Sequence, residues 1–361
     1  MFDLLNLNPN TFGLDISDLT LKIVKLKKQG NKLRFSAINE SFLPSGVIQQ
    51  GEIKDEKKLV QAIKRLVSGT HDLNTRHVVV SLPEEKSFVR LIEMPKMSKQ
   101  EIKGAVSFEA ENYIPFSAEK VYLDSQIIKP FNRNLNHIEV LLAALPKKTI
   151  DSYVSAIYKA GLVPTSMETE SHATVRALIK GQETKAPIFI IDIGATCSNF
   201  SVYFGNSIRF TSFIPFSSNK LNTAIAKSMR IELSKAEELK ASYGFQQKGI
   251  MAKKLFKIML PILTEFSWEI KKHIDYYQAY VKDSEFFSNG NQVRKILLCG
   301  GGANLCGLIK FLSQETTLIV EKGNPLINLP LEDEEIKDLP RRQKLLSYTT
   351  AIGLALRDWK I

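Results

Sequence analysis

Alternating apolar and polar positions form two similar groups along the chain, one near its start and one near its middle. In the first group, an alternating run over residues 21–26 leads to a Gly30-Asn31 turn and a further strand. In the second, a run over residues 200–204 leads to a Gly205-Asn206 turn and a further strand. A period of two that is broken by Gly-Asn predicts a β-hairpin. The repetition predicts two related halves.

Each group follows a short apolar run that ends close to an aspartate, Asp15 in the first half and Asp192 in the second. A single aspartate at a strand end is more often a turn cap. Because the same feature recurs in register, we favour a carboxylate that faces hydrated Mg²⁺ beside backbone N–H groups that bind phosphate. We therefore predict Asp15 and Asp192 as metal and phosphate positions.

The remaining periodicity predicts an amphipathic helix over Asp55–Gly69, an α+β block, a helical block, a buried strand at Lys295–Cys299 and a closing helix over Tyr348–Arg357. The resulting division has four parts: residues 1–76 with 165–187 as the core of the first half, 77–164 as its α+β insert, 188–216 with 292–361 as the core of the second half, and 217–291 as its helical insert.

Three helix boundaries can be predicted from single residues. Ser98 and Ser234 each precede a glutamate by three positions, Glu101 and Glu237, which is the pattern of a capping box. Pro261 lies within a helical pattern, so we expect one helix to stop there and a new helix to begin.

Composition places the chain among ordinary globular proteins. It has 361 residues, a net charge of +11 and three cysteines without CxxC spacing, which disfavours a structural zinc site. No apolar run approaches the roughly 20 residues that span a bilayer, and the first residues do not resemble a signal peptide. We expect a soluble intracellular protein. We interpret the positive charge in the first place as a solvated surface. Attraction to an anionic membrane face is the second interpretation, and nucleic-acid binding is the third.

The two aspartate loops differ in chemistry. The second offers small and hydroxyl-bearing residues, with Gly194, Thr196, Ser198 and Asn199 as candidate phosphate contacts. The first offers Ser17, Thr20 and Lys22, but Asp18 adds a negative charge. We therefore expect phosphate binding to be one-sided.

A glycine triplet provides a further candidate. Gly300, Gly301 and Gly302 follow the buried strand, and without Cβ atoms they would let a flat base approach the backbone. Asn304 follows them. Glu237 and Lys240 lie three residues apart on one helix face and would both reach a ribose, although Glu237 also fits the capping box.

Three stretches resemble motifs of a known superfamily. Gly13–Ile16, Ile191–Gly194 and Leu298–Ala303 resemble the two phosphate motifs and the adenosine motif of the actin, Hsp70 and sugar kinase superfamily. Within it the chain most resembles the PilM family, the actin-like proteins of type IV pilus assembly, which is similar to the cell-division protein FtsA. Supporting stretches are Glu109–Phe116 and Ala351–Ala355.

That resemblance implies an α/β, two-lobed actin-like ATPase fold with duplicated βββαβα-type cores, an SHS2-like α+β insert in the first lobe and a helical insert in the second. It implies ATP or ADP with Mg²⁺ between the lobes, at Asp15, Asp192, Gly194, Glu237, Lys240 and Gly300–Gly302. It also implies a cytoplasmic location at the inner face of the membrane, where the chain would hold the N-terminal tail of a PilN-like protein. Arg90, Tyr113, Pro115 and Phe116 are the implied partner contacts. The resemblance also implies contacts with other pilus assembly proteins and self-association. It does not imply a nucleic-acid partner.

The chain departs from the family pattern at a few positions. Ser17 stands where the family usually has glycine, and Ser217-Ser218 stands where it has a glycine pair. Asn222 replaces the threonine of a Leu-Thr pair. No residue stands out as a general base. We therefore expect nucleotide binding more than turnover and predict no catalytic residue, with an active ATPase or a small-molecule kinase as the alternative.

Overall fold

The computed structural model describes residues 10–30, 32–114, 117–128, 137–282, 293–329, 331 and 342–359. By their contacts these residues group into two units. The first unit falls within Met1–Glu183, Asn206–Thr211 and Asn324–Ile361, and the second within Thr184–Gly205 and Ser212–Gly323.

The strands are β1 (Phe12–Ile16), β2 (Thr20–Gln29), β3 (Lys32–Phe42), β4 (Ile48–Gln49), β5 (Glu52–Ile53), β6 (His77–Leu82), β7 (Phe88–Pro95), β8 (Val121–Ile128), β9 (His137–Pro146), β10 (Val163–Thr169), β11 (Thr184–Ile193), β12 (Ser198–Gly205), β13 (Ser207–Ile214), β14 (Lys295–Cys299) and β15 (Ile319–Lys322). The α-helices are α1 (Glu56–Ser68), α2 (Lys99–Ala110), α3 (Lys147–Lys159), α4 (Glu170–Leu178), α5 (Ser218–Met229), α6 (Leu233–Tyr243), α7 (Ile250–Lys282), α8 (Leu308–Thr316) and α9 (Thr349–Leu356).

The main sheet of the first unit has the order β10-β6-β1-β2-β3. β6 lies parallel to both β1 and β10, whereas β2 lies antiparallel to β1 and β3 antiparallel to β2. The central strand β1 is buried along its whole length. Because the parallel strands end at the same edge of the sheet, Asp15 of β1 and Ser81 of β6 lie together there.

The α+β insert adds an antiparallel group to the first unit. β9 pairs with β7 on one side and with β8 on the other, and β13 pairs with β7 through Phe210 and Arg90. Apolar residues of β7, β9 and α2 form a separate core cluster that includes Ile92, Val106 and Leu142. A buried ion pair joins Arg209 of β13 to Glu139 of β9, with Nη1 and Oε2 at 2.7 Å.

The second unit repeats the strand arrangement of the first. Its strands run β15-β14-β11-β12, with β14 parallel to β11 and β12 antiparallel to it. In both units the central strand therefore has a parallel neighbour on one side and a hairpin partner on the other. Asp15 and Asp192 each occupy the next-to-last position of the central strand. The predicted duplication is confirmed.

Two of the predicted helix boundaries are wrong. α7 continues through Pro261, which costs about 3 kcal/mol in a helix interior. Its inner face, represented by Leu255, Met259 and Leu263, is fully buried, and this packing outweighs the lost hydrogen bond. α6 begins at Leu233 with Glu232 at its N-cap, so Ser234 lies inside the helix and forms no capping box.

The third predicted boundary is confirmed. At the start of α2 the Glu101 N–H donates to Ser98 Oγ at 3.3 Å, and the Ser98 N–H donates to Glu101 Oε2 at 2.7 Å. Each residue thus satisfies one N–H that the helix itself leaves without an acceptor.

The closing helix α9 belongs to the first unit. It packs on β1 and α4, and a Cβ at Gly13 would lie 2.5 Å from the Ala351 carbonyl oxygen. A Cβ at Gly353 would overlap the backbone of Ala173. Arg357, just beyond the helix, pairs with Glu168, which also receives Arg176. The four-part division of the sequence stays a prediction.

Among the residues described, no helix combines the length and apolar character needed to cross a bilayer.

Candidate functional site

The loop between β1 and β2 holds Asp15 in a closed set of contacts. Asp15 is 3% exposed. Its Oδ2 lies 3.3 Å from Lys22 Nζ, and its Oδ1 accepts a hydrogen bond from Ser81 Oγ at 3.1 Å. Lys22 is itself buried and also donates to Thr20 Oγ1. The first carboxylate is therefore neutralised by a cation of the same hairpin, since Asp15 and Lys22 are cross-strand partners.

Ser17 and Asp18 do not disturb this loop. The Ser17 N–H donates to the Thr20 carbonyl at 2.9 Å, and Ser17 is not among the residues with positive φ. Asp18 accepts from the N–H groups of Gln50 and Gly51 at 3.0 and 3.2 Å. Because both of these residues have positive φ, they form the tight β4-β5 turn, and the Asp18 carboxylate stabilises that turn.

The loop between β11 and β12 has the same backbone closure with different side chains. The Gly194 N–H donates to the Cys197 carbonyl at 2.9 Å, as Ser17 does to Thr20. A Cβ on residue 194 would lie 2.7 Å from that carbonyl oxygen, so the loop requires glycine there. Asp192 is half-buried, and its cross-strand partner is the neutral Asn199.

The tip of this second loop presents backbone donors. Ala195 and Thr196 are exposed. Across the described ranges, neither of their N–H groups has a hydrogen-bond acceptor. Ser198, at the start of β12, is fully buried, and its hydroxyl has no partner there either. Exposed N–H groups at a turn suit phosphate oxygens.

The N-terminus of α5 fixes the base of the second loop. The Ser218 N–H donates to the Gly194 carbonyl at 3.0 Å, and the Asn219 N–H to the Ala195 carbonyl at 3.1 Å. Ser217 is the N-cap and accepts from the Lys220 N–H. Its φ of −149° is open to any residue, so serine replaces the family's usual glycine here without backbone strain.

Lys240 of α6 is bound to the same helix start. Its Nζ donates to Ser218 Oγ at 2.6 Å and to the Ser218 carbonyl at 3.2 Å. Burial lowers the pKa of Lys240 below 10.5, and the nearby Glu237 carboxylate opposes this shift. Glu237 itself is exposed. Lys240 thus connects α6, α5 and the second loop.

The glycine triplet packs directly against Asp192 and Ile193. Gly300 has φ of +77°, and a Cβ there would lie 2.2 Å from Asp192 Oδ1. A Cβ on Gly302 would lie 2.3 Å from a methyl carbon of Ile193. Residues Gly301–Asn304 form a 3₁₀ turn, and Lys322 Nζ lies 3.4 Å from Asn304 Oδ1. The turn therefore serves to bring backbone next to the second carboxylate.

The residues of the second loop fit a nucleotide phosphate with Mg²⁺. Asp192 supplies a carboxylate whose strand partner is neutral, and Ala195 and Thr196 supply N–H donors. Mg²⁺ in nucleotide sites takes few protein ligands and keeps phosphate and water. The described residues contain no group of three or more His, Cys, Asp or Glu that would hold a metal by themselves, which is compatible with that mode.

The predicted partner contacts lie in the insert of the first unit. The Arg90 guanidinium lies 5.9 Å from the centre of the Tyr113 ring, and Tyr113 is 38% exposed. Phe108 of α2 is 73% exposed. Pro115 and Phe116 lie outside the described residues, as does Asn31 of the first Gly-Asn turn.

Sequence reasoning missed Ser81 and Ser218. Ser81 is fully buried, accepts the Ile16 N–H at 2.9 Å and holds Asp15. Its signal was a hydroxyl inside the otherwise apolar run of β6. Ser218 was noted only as a departure from the family's glycine pair, and its contacts could not be predicted because its partners Gly194 and Lys240 are 24 and 22 residues away.

Comparison with known proteins agrees with the duplicated architecture. The family described as "Type IV pilus assembly protein PilM" matches residues 13–359. A solved chain of the "PilM-PilN type IV pilus biogenesis complex" is 26% identical, with a TM-score of 0.78, over 97% of this chain and 98% of that chain. MreB5 of Spiroplasma citri bound to AMPPNP shares the fold at 13% identity and TM-score 0.52, over 95% of this chain and 94% of that one.

Among curated proteins, the cell division protein FtsA of Neisseria meningitidis is 24% identical over 218 residues. That match covers 57% of this chain and 50% of FtsA, so the chain spans about half the length of this relative.

The fold predicted from the motifs, the actin-like α/β fold, is confirmed by these neighbours. With its family match running almost from end to end, the chain belongs to the PilM family of type IV pilus assembly proteins.

Proposed function

We propose that this chain is a nucleotide-responsive scaffold of type IV pilus assembly, which binds Mg-ATP and docks the N-terminal cytoplasmic tail of a PilN-like membrane protein. The observation that supports it most is the 26% identity, over 97% of the chain, to a protein solved in a PilM–PilN complex. On this proposal the chain works at the cytoplasmic face of the inner membrane.

The nucleotide part of the proposal rests on the second loop. Asp192, Gly194 and the donors at Ala195 and Thr196 would hold phosphate and hydrated Mg²⁺. The turn that begins at Gly300 packs on Asp192 and Ile193, and its backbone would lie beside the bound nucleotide. Ser198, Asn199, Glu237, Lys240, Gly301 and Asn304 complete the proposed set. Bound Mg²⁺ would neutralise phosphate charge, and Asp192 would orient its water shell.

The first loop has a lesser role in this proposal. Asp15, Ser17, Thr20 and Lys22 form hydrogen bonds and an ion pair among themselves and with Ser81. These contacts stabilise the loop as part of the first unit's sheet. Ligand binding there would have to compete with the Lys22 ion pair.

The partner part rests on the insert. The half-buried Arg90 and the exposed Tyr113 form a cation and aromatic pair, and the apolar Phe108 of α2 is exposed as well. A short peptide tail with an acidic or apolar side chain would find both kinds of contact there. The insert core under this surface is packed separately, so the surface can be altered without unfolding the main sheet.

A peptide titration tests the proposal. A synthetic peptide with the N-terminal cytoplasmic sequence of the PilN-like protein of the same organism is titrated into the full chain by calorimetry, with and without Mg-ATP. We expect binding, and a loss of at least about tenfold in Tyr113→Ala. Tyr158→Ala is the matched control, because Tyr158 is also an exposed tyrosine and lies on α3. Absence of binding, or the same loss in both variants, would contradict the docking proposal.

The alternative function, an active ATPase or a small-molecule kinase, is tested separately. Phosphate release is measured with Mg-ATP alone and with a panel of sugars and polyols. Release that disappears in Asp192→Asn would establish turnover and replace the scaffold proposal with an enzymatic one.

A further inference from the structure

The long helix α7 has two very different faces. Its inner face is buried: Leu255, Met259 and Leu263 are 0% exposed. Its outer face carries large side chains in water, since Trp268 is 59% exposed and Tyr276 is 49% exposed. α7 packs against α5, α6 and α8 through the inner face, so the outer face is a surface of the second unit.

The exposed residues of this outer face fall into one stripe along the helix axis. At about 3.6 residues per turn, Lys257, Pro261, Trp268 and Lys272 lie within a narrow arc. We define the outer stripe by its basic and aromatic members, Lys253, Lys254, Lys257, Trp268, Lys272 and Tyr276. Ile250, which is 92% exposed, begins the same stripe five turns before Trp268.

Charge is distributed unevenly along the stripe. Lys253, Lys254 and Lys257 are exposed and lie in the first third of the helix. The acidic side chains Glu265 and Asp275 come only later. The first third of this face is therefore purely basic, whereas its aromatic end also carries the exposed carboxylates of Glu265 and Asp275.

The aromatic end also carries a cation. Lys272 Nζ lies 5.4 Å from the centre of the Trp268 ring and 3.9 Å from Glu269 Oε2. Lys271, by contrast, points away to Glu315 of α8. The ring of Trp268 is thus held at the surface by a lysine beside it and is not folded into the core.

We propose that the outer stripe of α7 docks on an anionic membrane surface. Tryptophan and tyrosine prefer the interface between water and lipid, where their rings lie at headgroup level. Each lysine near an anionic surface raises membrane partitioning about fivefold. A helix that is fixed to the second unit by its inner face presents these groups in a line, without any cost of folding on contact.

Vesicle sedimentation of the full chain tests this proposal. Vesicles contain phosphatidylcholine alone or with about one third phosphatidylglycerol. We expect binding only to the anionic vesicles, falling as salt is raised. The variant Lys253→Gln/Lys254→Gln/Lys257→Gln is expected to bind at least about tenfold more weakly.

A matched control separates this stripe from the overall charge. The variant Lys57→Gln/Lys64→Gln/Arg65→Gln removes three exposed cations from α1 and should bind as the unaltered chain does. Circular dichroism of both variants checks the fold. Equal weakening in the two variants, or no binding to anionic vesicles, would overturn the proposal.

Tryptophan fluorescence gives a second readout. The chain has two tryptophans, so Trp359→Phe leaves Trp268 as the sole indole. Its emission should shift to shorter wavelength on anionic vesicles. An unchanged emission, together with concentration-dependent self-association that Trp268→Ser abolishes, would instead identify the stripe as an interface between copies. Peptide docking and nucleotide binding are measured independently, so failure here leaves the proposed function standing.

Discussion

The loop after β1 and the loop after β11 share one backbone design but treat their aspartates differently. Each aspartate precedes the last residue of its strand, and each loop closes with an N–H donated to a carbonyl three residues on. Asp15 faces a buried lysine, whereas the strand partner of Asp192 is an asparagine. The carboxylate of Asp15 thus has a cationic partner in the same hairpin, Lys22.

Two copies of one strand–loop motif can therefore have different roles in the same protein. Lys22 gives Asp15 a cationic partner in the first hairpin, whereas the equivalent strand position of the second hairpin is the neutral Asn199. We place the proposed Mg²⁺ and phosphate site at Asp192 because its loop presents the N–H groups of Ala195 and Thr196. Each of the following changes tests whether this division is real.

The largest effect is expected from Gly300→Ala. The added Cβ would lie 2.2 Å from Asp192 Oδ1 and 2.5 Å from the Ile193 carbonyl oxygen, at a φ of +77°. Unfavourable φ and overlap together should lower the free energy of unfolding by about 4 kcal/mol, measured by urea denaturation. Gly249→Ala is the control, because Gly249 also has positive φ but nothing within 4 Å of its Cβ. Similar losses in both would show that Asp192 is not packed against this turn.

Lys22→Met should be the next most severe. It leaves the buried Asp15 carboxylate without its cation, at a cost of about 3 kcal/mol in the free energy of unfolding. Asn199→Met changes the equivalent position of the second copy and should cost about 1 kcal/mol, because no ion pair is broken. Denaturation of the two variants under the same conditions makes the comparison direct. Equal costs would remove the distinction between the loops.

Nucleotide affinity should separate the two aspartates. Asp192→Asn is expected to weaken Mg-ATP binding about tenfold, or about 1.4 kcal/mol, because on the proposed function the variant loses a charge that would face hydrated Mg²⁺. Asp15→Asn should leave the affinity almost unchanged while lowering stability. Fluorescent-nucleotide titration with and without Mg²⁺ gives both numbers. A larger loss in Asp15→Asn would reverse the assignment.

Lys240→Met should cost about 1 kcal/mol at neutral pH, because Ser218 loses two hydrogen bonds. The pKa of Lys240 is lowered by burial, so the folded chain releases this proton at a lower pH than the unfolded chain does. The unaltered protein should therefore gain stability relative to Lys240→Met as the pH rises toward 10.5. Urea midpoints across that range provide the check. If the stabilities of the two proteins changed in parallel with pH, the lowered pKa of Lys240 would be contradicted.

The smallest effect is expected from Ser17→Gly, which restores the residue usual in the family. Ser17 needs no positive φ. Glycine should therefore act only by raising the conformational entropy of the unfolded chain, which lowers the free energy of unfolding by about 0.5–1 kcal/mol. Nucleotide affinity should stay the same. An affinity gain in this variant would place the first loop in contact with phosphate after all.

Local patterns predicted most of the strands and failed at contacts distant in sequence. The apolar run at Lys295–Cys299 predicted β14 with its observed ends, and the Ser98 capping box was correct. Pro261 was misjudged because local propensity carries no information about the buried face of α7. Burial of the apolar inner face of α7 keeps the helix continuous through Pro261.

The candidate site was predicted in part for the same reason. Duplication indicated Asp15 and Asp192, since both lie in matching local patterns. Asp18 was expected to repel phosphate, but it binds a turn 32 residues away, and no local signal reports that partner. The contact between Lys240 and Ser218 likewise depends on how α5 and α6 pack.

The position of α9 has a consequence for the order in which this protein matures during synthesis. α9 packs on β1, which is synthesised long before it, and Thr11 Oγ1 donates to Asp358 Oδ2 at 2.7 Å across 347 residues. The ribosome therefore completes both segments of the second unit, Thr184–Gly205 and Ser212–Gly323, before it has released the helix that covers the first unit. A growing chain must protect the uncovered face of β1 throughout that interval, which makes the first unit the expected client of cotranslational chaperones.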